Sequence, residues 1–350
     1  MFFQEASRQN GKIALLIQPD FDFLFSLLSS LKPKYSLKVE HTFCLSKTNQ
    51  MSASHELYNL DYLSRILPLY FSSVDYHPYY FYEDIFAHSY SFNGISCIIL
   101  TSQYAVTCTS DYKMGIFYTE PAVISMLWNL YDSYQNKCRP FAYITDYLSG
   151  NSTTTFSENF YSESSNYILQ PESCLVPFLN HKLLDAALIP DFPDRDSAIQ
   201  QMEIALKENR QKIKNGNIYV YFTKKGFADF VATGRIREIP DSFYRPFTVE
   251  ERIWLLRQIV PYCRQSFYRL LKKPLNQLSE NLHLCVNGSS GYLLFNNIHN
   301  RTICLVLNES SILTTFWDYL QNLDEHQLYS GEETAAFIER LISQLKTGSF

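Results

Sequence analysis

The sequence predicts an α/β or α+β protein made of two similar halves, each built on a mixed sheet. First, 350 residues with 46% hydrophobic side chains are enough for two domains or one large duplicated domain. Second, Gln103–Trp128 can be laid without a gap over Tyr292–Trp317, which lies 189 positions later. Third, each half reads as a strand and a helix, then three strands with short turns and a further helix. This pattern favours an internal duplication.

The first half opens with alternating strands and helices. Lys12–Ile17 is a short apolar run, which predicts a buried strand. Asp20–Leu31 places apolar side chains three and four residues apart, which predicts an amphipathic helix. A second strand follows at Ser36–Phe43, and a second helix at Glu56–Leu67 ends before a proline.

The repeated stretch predicts a three-stranded meander followed by a helix. In the first half the strands are Ile95–Leu100, Tyr104–Cys108 and Lys113–Tyr118, joined by tight polar turns. A Glu-Pro pair at 120–121 suits the first turn of a helix that continues to residue 134. The inner face of this helix is predicted to carry Val123, Ile124, Leu127, Trp128 and Tyr131.

The middle of the chain is more polar. Ser149–Asn166 is rich in Ser, Thr and Asn, which predicts a loop or linker. Val176–Leu188 predicts a helix, Pro190–Arg195 interrupts it, and Ser197–Asn215 predicts a long helix capped by its first residue. The predicted domains are a first α/β half at 1–148, a linker and connecting helix at 149–198, and a second α/β half at 199–350.

The second half repeats this order of elements. Asn217–Phe222 predicts a strand, and the helix that begins at Lys224 stops at Gly234. We match this strand and helix with Lys12–Leu31. A capping box at Thr248–Glu251 begins the next helix. The remaining predicted elements are three strands and two helices, at His283–Asn287, Tyr292–Asn297, Thr302–Leu307, Ser310–Leu323 and Ser330–Lys346.

Charge and cysteine usage indicate the compartment and exclude some partners. A net charge of −5 argues against a nucleic-acid surface, which normally needs a basic patch. The eight cysteines are scattered without a CxxC pair, as expected of free thiols in a reducing cytoplasm. The N-terminus lacks the pattern of a secretion signal, and no apolar run is long enough to span a bilayer. We expect a soluble cytoplasmic protein that contacts neither nucleic acid nor membrane; the sequence leaves an oligomer open.

The motifs of several common chemistries are missing from the sequence. There is no GxGxxG, no phosphate-binding GK[ST] loop, no nucleophile elbow and no metal-ligand spacing among the eight histidines. We therefore predict no cofactor and no metal, and assign no catalytic residue. Catalytic groups are assembled in space, so this lowers the expectation of an enzyme without excluding one.

Two groups of residues are candidates for ligand binding. Val74–Tyr82 is the densest aromatic segment, and Pro78 within it argues against a helix interior or a central strand. We interpret it as a loop that lines a pocket; the alternative is that its rings pack onto the neighbouring sheet. Three arginines between two predicted helices are candidates to hold an anion, and ion pairing or loop anchoring is the alternative. The candidate residues are Tyr76, His77, Tyr79, Tyr80, Tyr82, Arg235, Arg237 and Arg245.

Part of the second half resembles a family of regulators. Tyr221–Phe230, Thr233–Pro240, Phe243–Pro246 and Glu251–Arg252 are similar to the region C-terminal to the DNA-binding domain in certain XRE-type helix-turn-helix regulators of anaerobic Gram-positive bacteria. The strand, turn, Glu and helix blocks at 95–135 and 283–325 look similar too, so the resemblance extends over most of the chain. It implies a sensing or interaction role. Those regulators begin with a helix-turn-helix domain, whereas the first strand here is predicted by residue 12. We therefore expect that domain to be missing and do not carry DNA binding over.

The paired halves also give a faint similarity to the phospholipase D superfamily. Each half of those enzymes supplies an HxK motif. Neither repeat here has one, because Ser-Tyr-Ser-Phe-Asn-Gly precedes the first repeat unit and His283 is followed by Leu284 and Cys285. The resemblance implies a loss of the His nucleophile and favours a binding role.

The sequence therefore favours a non-catalytic, sensor-like regulatory module that binds a small molecule or a protein partner, within a transcriptional regulator. One alternative is a diverged phosphodiesterase-like or other hydrolase, which a nucleophile and base within hydrogen-bond reach would support. A second alternative is a structural or dimerisation protein, which a large exposed apolar patch would support.

Overall fold

The computed structural model describes residues 6, 11–31, 37–46, 53–83, 97–145, 165–237, 239, 241–273, 282–296 and 302–348. The chain forms two compact units. The first comprises Met1–Tyr143, Asn297–Asn300 and Leu307–Thr315, and the second comprises Ile144–Asn296, Arg301–Val306 and Phe316–Phe350. The three-part division predicted from the sequence stays a prediction, and most of its polar segment, 149–164, lies outside the described residues.

The first sheet combines parallel and antiparallel strands. Its strands are β1 (Lys12–Leu16), β2 (Lys38–Ser46), β3 (Asp75–Glu83), β4 (Cys97–Leu100), β5 (Ala105–Cys108), β6 (Gly115–Tyr118) and β7 (Arg139–Pro140). The helices along this part of the chain are α1 (Asp22–Ser29), α2 (Ala53–Tyr70) and α3 (Pro121–Gln135). The strand order is β6-β5-β4-β1-β2-β3-β7. Strands β1, β2 and β3 are parallel, and β4 runs antiparallel to β1.

The second sheet has the same kinds of pairing. Its strands are β8 (Ala142–Thr145), β9 (Asn166–Gln170), β10 (Ile218–Phe222), β11 (Tyr268–Leu270), β12 (His283–Val286), β13 (Gly291–Asn296) and β14 (Thr302–Leu307). The helices are α4 (His181–Ala187), α5 (Arg195–Lys214), α6 (Lys224–Thr233), α7 (Val249–Arg264), α8 (Ser310–Gln321) and α9 (Gly331–Thr347). The strand order is β11-β10-β9-β12-β13-β14-β8. Strands β9, β10 and β11 are parallel, and β12 is antiparallel to β9.

The two sheets share one strand topology. In each, three parallel strands lie beside an antiparallel meander of three, so β1 to β6 correspond in order to β9 to β14. The predicted fold class of two similar halves with mixed sheets is confirmed, and an internal duplication is favoured. The ungapped alignment is wrong at the hairpin, however. Leu100 pairs with Ala105 and Val286 pairs with Gly291, so the hairpins match at a shift of 186, three fewer than Glu120 and Glu309 require.

The match that we made for the first strand of the second half is also wrong. The counterpart of β1 is β9, and the Asn217–Phe222 segment forms β10, the counterpart of β2. Strand β9 has the sequence NYILQ and is fully buried. Strand β9 directly follows the polar Ser/Asn-rich segment and has only a short apolar run. It was therefore not predicted as a separate strand.

The aromatic segment is a strand, and its interpretation as a loop is wrong. It forms β3, paired along its whole length with β2 in the sheet interior. Pro78 fits because its carbonyl accepts a hydrogen bond from the Phe141 N–H over 3.0 Å, at the side of the two-residue β7. A strand residue directs its N–H and C=O to the same edge. The N–H that proline lacks therefore faces this short strand and not β2.

Several predicted helices and caps are present. Helix α3 buries Ile124, Leu127 and Tyr131 of its predicted inner face, whereas Val123 and Trp128 are half-buried. Both capping boxes form, at Thr248 and Ser330. The helix predicted over 176–188 is instead a 3-10 turn followed by α4. In the described part of the chain, no helix combines the length and apolar character needed to cross a bilayer.

Candidate functional site

Each sheet places polar side chains at the carboxyl ends of its parallel strands, where open sheets with helices commonly bind ligands. In the first unit, Tyr82 at the end of β3 donates to Oε1 of Glu309 over 2.5 Å. Glu309 is 1% exposed and also accepts from the Ser311 hydroxyl and the Ile312 N–H. Ser311 in turn accepts a hydrogen bond from Asn59 over 2.8 Å. This network satisfies the carboxylate and fixes the start of α8.

The other predicted aromatic residues alternate along β3. Tyr76 and Tyr80 are buried, whereas His77 and Tyr79 are half-buried on the opposite face. His77 pairs with Asp75 over 2.9 Å. The burial of Tyr76 and Tyr80 matches the alternative interpretation, in which the rings pack onto the sheet. A ligand role for the five candidates stays a prediction.

Tyr76 contacts a buried histidine, His41, in the centre of the same sheet. The Tyr76 hydroxyl lies 2.6 Å from Nδ1 of His41, and Nε2 lies 2.9 Å from the Ile17 carbonyl. Since only an N–H can donate to that carbonyl, Nε2 carries the proton and Nδ1 accepts from tyrosine. Burial lowers the pKa of His41 to about 4. His41 is therefore a neutral, fully bonded core residue.

The three predicted arginines lie on the segment between α6 and α7 in the second unit, and each has a carboxylate contact. Arg245 makes a bidentate pair with Glu251, with both N–O distances at 2.7 Å. Arg237 donates to Asp229 over 2.8 Å, and Arg235 lies 3.5 Å from Asp241. These contacts match the alternative of ion pairing and loop anchoring. The predicted anion-binding role of the three arginines stays a prediction.

A cluster of buried polar side chains lies at the carboxyl end of β9. Gln170, Glu172 and Ser173 are at most 2% exposed. The Arg237 N–H donates to Glu172 over 2.6 Å. Neither polar atom of the Gln170 side chain, nor the Ser173 hydroxyl, has a hydrogen-bond partner among the described residues. Such groups cost roughly 1–3 kcal/mol each, which makes the cluster a candidate functional feature.

The residues around Gln170 recur in the first unit. Gln170-Pro171-Glu172 follows the apolar run of β9, and Gln18-Pro19-Asp20 follows that of β1. In the first unit Gln18 accepts a hydrogen bond from the Cys44 N–H over 3.2 Å. Gln170 was not among the predicted site residues, because no strand was predicted over the short apolar run of β9. The repeated Gln-Pro-acid triplet is the sequence signal that would have located it.

An open groove of about 880 Å³ lies near the carboxyl ends of β10 and β11. Lys224, the first residue of α6, lines it together with residues of α9. The Lys224 ammonium donates to the Tyr329 hydroxyl over 2.6 Å and lies 4.5 Å from the centroid of that ring. Further lining residues are Leu270, Phe337, Glu339 and Arg340.

The groove is lined by two cations, Lys224 and Arg340, and by two carboxylates, Glu333 and Glu339. Glu339 pairs with Arg264 over 2.7 Å, and Glu333 accepts from Ser330 in the capping box of α9. Hydrogen bonds from the Ser330 backbone and hydroxyl lower the pKa of Glu333. Lys224 and Arg340 have no carboxylate partner within the described ranges. The groove therefore carries two cations that are not in ion pairs, beside aromatic and aliphatic walls. Within those ranges, no group of three His, Cys, Asp or Glu side chains is arranged to hold a metal ion.

Comparisons with known proteins give only faint likenesses. No family model matches the sequence, and no curated protein matches it. Among solved structures, the phosphatidylserine synthase of Haemophilus influenzae Rd KW20 is similar at a TM-score of 0.30 and 10% identity, over 96% of this chain and 87% of that one. The polyphosphate kinase from Porphyromonas gingivalis is similar at 0.23 and 10% identity, over 99% of this chain and 53% of that one. Likenesses at this level carry no argument about function.

Proposed function

We propose that this chain is a non-catalytic ligand-binding module that holds a small organic anion in the groove of the second unit. We call it the Lys224 groove. The observation that carries the proposal is the pair of cations, Lys224 and Arg340, that line the groove without carboxylate partners among the described residues. A carboxylate or phosphate group of a ligand would give these two cations a direct ion-pair partner.

The walls of the groove determine the rest of the ligand. Tyr329, Phe337 and Leu270 offer apolar surface beside the two cations. A volume of about 880 Å³ is within the range of small-molecule sites. The proposed ligand therefore has an apolar or aromatic body and one anionic group.

The carboxylates that line the groove favour binding over catalysis. Glu333 is held by the Ser330 backbone and hydroxyl, and Glu339 is held by Arg264. A general base needs a carboxylate that is free to accept a proton from the substrate. Both acids already have partners within the protein.

The sequence resemblance supports a regulatory use of this groove. Lys224 lies inside Tyr221–Phe230, part of the stretch that resembles the region beyond the DNA-binding domain of helix-turn-helix regulators. A sensor of small anions within such a regulator would couple metabolite concentration to a response. Cytoplasmic localisation remains part of this proposal.

A matched pair of probes tests the proposal. Phenylacetate and phenyl phosphate have an apolar ring and an anionic group, whereas phenylacetamide has the same ring without charge. We expect the two anions to raise the melting temperature and the amide to leave it unchanged. A ligand at 100 times its dissociation constant adds about 2.7 kcal/mol to the free energy of unfolding. Equal shifts for phenylacetate and phenylacetamide would contradict the role of the cations.

A second candidate function, self-association, is favoured by one surface of the first unit. Strand β6 is at the edge of its sheet among the described strands, whereas its counterpart β14 has β8 as a further neighbour. Four large apolar side chains are 51–70% exposed here: Met114 just before β6, Ile116 and Phe117 on β6, and Met126 on α3. An exposed apolar edge strand readily pairs with another strand. We propose that β6 pairs with β6 of a second copy.

The oligomeric state tests this candidate. Sedimentation velocity should show a dimer for the wild-type chain and a monomer for Ile116→Lys. The control is Ile204→Lys, since Ile204 is 63% exposed on α5 and should leave the dimer intact. A monomeric wild-type chain at micromolar concentration would exclude the candidate.

A further inference from the structure

The first unit contains another groove, with a chemistry unlike that of the Lys224 groove. It is open, has a volume of about 540 Å³, and lies between the β4–β5 turn and α3. Every side chain that lines it is uncharged at neutral pH. The residues that matter for its chemistry are Gln103, Tyr104, Thr119, Ser125, Trp128 and Asn129.

The aromatic rings of this groove are held in place by the protein. The Trp128 indole N–H donates to the Thr101 carbonyl over 3.0 Å, and its ring meets Tyr131 edge to face at 5.7 Å. Tyr104 stacks on Phe117, with ring centroids 5.4 Å apart. Fixed rings lose little conformational entropy when a ligand packs against them.

The polar side chains of the groove remain available for a ligand. Gln103, Ser125 and Asn129 are exposed, and their side chains make no hydrogen bond within the described part of the chain. Amide and hydroxyl groups can both donate and accept. These side chains match a ligand whose own polar groups also donate and accept hydrogen bonds, such as hydroxyls.

One cation, Lys12, lies near the Trp128 ring but does not line the groove. The Lys12 ammonium lies 5.4 Å from the centroid of the Trp128 ring, but it is paired with the Glu40 carboxylate. Glu40 also pairs with Lys38, so the two lysines share this carboxylate. Because every side chain that lines the groove is uncharged, the groove favours a neutral ligand.

We infer that this groove binds a neutral, hydroxyl-rich ring, that is, a carbohydrate. The apolar C–H face of a sugar ring packs on the electron-rich face of an aromatic ring. Its hydroxyls donate to and accept from Gln103, Ser125 and Asn129. A proline-rich peptide also suits aromatic grooves, but its tertiary amides only accept hydrogen bonds, which leaves the accepting groups here unused. The inference concerns a site separate from the Lys224 groove.

The duplication supplies a matched control. Trp317, the repeat counterpart of Trp128, donates its indole N–H to the Ser165 carbonyl over 3.2 Å. Its ring packs edge to face against Tyr167, with centroids 6.1 Å apart. Trp317→Phe therefore removes an equivalent hydrogen bond without touching the groove.

The experiment is calorimetric titration of cellobiose, maltose and N,N′-diacetylchitobiose into the full chain. A glycopeptide and the same peptide without its glycan distinguish a free sugar from a protein-linked one. We expect at least one disaccharide to bind, and Gln103→Ala and Asn129→Ala each to weaken it about 3- to 10-fold. Trp128→Phe should weaken it more than either, and Trp317→Phe should not change it. Because the side chains of Gln103 and Asn129 are exposed and make no hydrogen bond within the described part of the chain, the alanine variants should fold normally.

Three results would overturn the inference. One is no binding by any sugar or glycopeptide at millimolar concentration. Another is binding that the three groove variants leave unchanged. The third is a proline-rich peptide that binds where the sugars do not. Binding of phenyl phosphate should persist in Asn129→Ala, so failure of one site is distinguishable from failure of the other.

Discussion

The hydroxyl of Tyr82 donates to Oε1 of Glu309 over 2.5 Å, and this joins the carboxyl end of β3 to the start of α8. Burial, and then the hydrogen bond to Glu309, raise the pKa of Tyr82. Glu309 aligns with Glu120 in the repeat, but the two differ in role. Glu120 is exposed and makes no side-chain capping bond, whereas Glu309 is buried and accepts hydrogen bonds from three groups of α8. Identity in a repeat therefore does not imply identity in role.

Tyr82→Phe should lower the free energy of unfolding by about 1 kcal/mol. Hydrogen bonds to charged groups contribute about 1.5–3 kcal/mol, and partial exposure of Tyr82 reduces this. Tyr79→Phe is the control, because Tyr79 is a half-buried tyrosine of the same strand with no hydroxyl bond in the described structure. Urea unfolding measures both. Equal effects of the two variants would refute the role of the Glu309 contact.

His41 predicts a pH dependence of stability. Its folded pKa of about 4 lies below the ordinary 6.5, so the unfolded chain takes up the proton first as pH falls. The free energy of unfolding should therefore fall between pH 6.5 and 4, by about 2 kcal/mol from pH 7.5 to 5.0.

His41→Phe should remove this part of the pH dependence and lower stability near neutral pH, because Tyr76 loses its partner. His326→Phe, at an exposed histidine, is the control. Guanidinium unfolding at the two pH values gives the difference. If His41→Phe retains the wild-type loss between pH 7.5 and 5.0, His41 is not the cause.

Gln170 predicts a stabilising substitution. Its side-chain amide is 2% exposed and has no hydrogen-bond partner among the described residues. Gln170→Met should raise the free energy of unfolding by about 1–3 kcal/mol, because the desolvation cost of the amide is removed. Gln18→Met should lower it, since Gln18 accepts from the Cys44 N–H. Chemical denaturation of both variants measures these opposite changes in the free energy of unfolding. A loss of stability in Gln170→Met would show that the amide is satisfied in solution.

Gly226 on α6 packs closely against Pro171, the residue after Gln170, and leaves no room for a larger side chain. A Cβ at this position would lie 2.3 Å from the Pro171 carbonyl carbon. Gly226→Ala should cost about 1–3 kcal/mol, more than the gain from the better helix propensity of alanine. A Cβ at Gly288 meets nothing within 4 Å, so Gly288→Ala is the control. Thermal unfolding of the two variants should separate them clearly. A neutral Gly226→Ala would show that α6 can move away from Pro171.

Much of the fold follows from local patterns. The meander strands, the Pro121 helix start, the Gly234 stop and both capping boxes depend on contacts within a few residues, so the sequence predicts them. Strand β9 could not be predicted in this way. Its five residues follow a polar segment, and they are buried because β10 and β12, which are distant in sequence, pair with it on either side. Pro78 was misread for a similar reason: its place in a sheet depends on which edge its missing N–H faces.

The candidate sites were harder to predict than the fold. Tyr76, Tyr80 and the three arginines stood out in the sequence because of their type, yet packing and ion pairing explain their contacts. Lys224 and Arg340 did not stand out, because they are ordinary basic residues on amphipathic helices. Their significance depends on Glu339 being paired elsewhere, with Arg264, which only tertiary structure reveals.

The binding of an anion by the Lys224 groove is tested most directly by calorimetric titration of phenyl phosphate into three proteins: wild type, Lys224→Met and Lys225→Met. Lys225 is an exposed neighbour on α6 that does not line the groove. Loss of a charge-assisted contact should weaken binding about 10-fold or more in Lys224→Met, and Lys225→Met should bind as wild type does. Equal affinity in all three proteins would contradict the account.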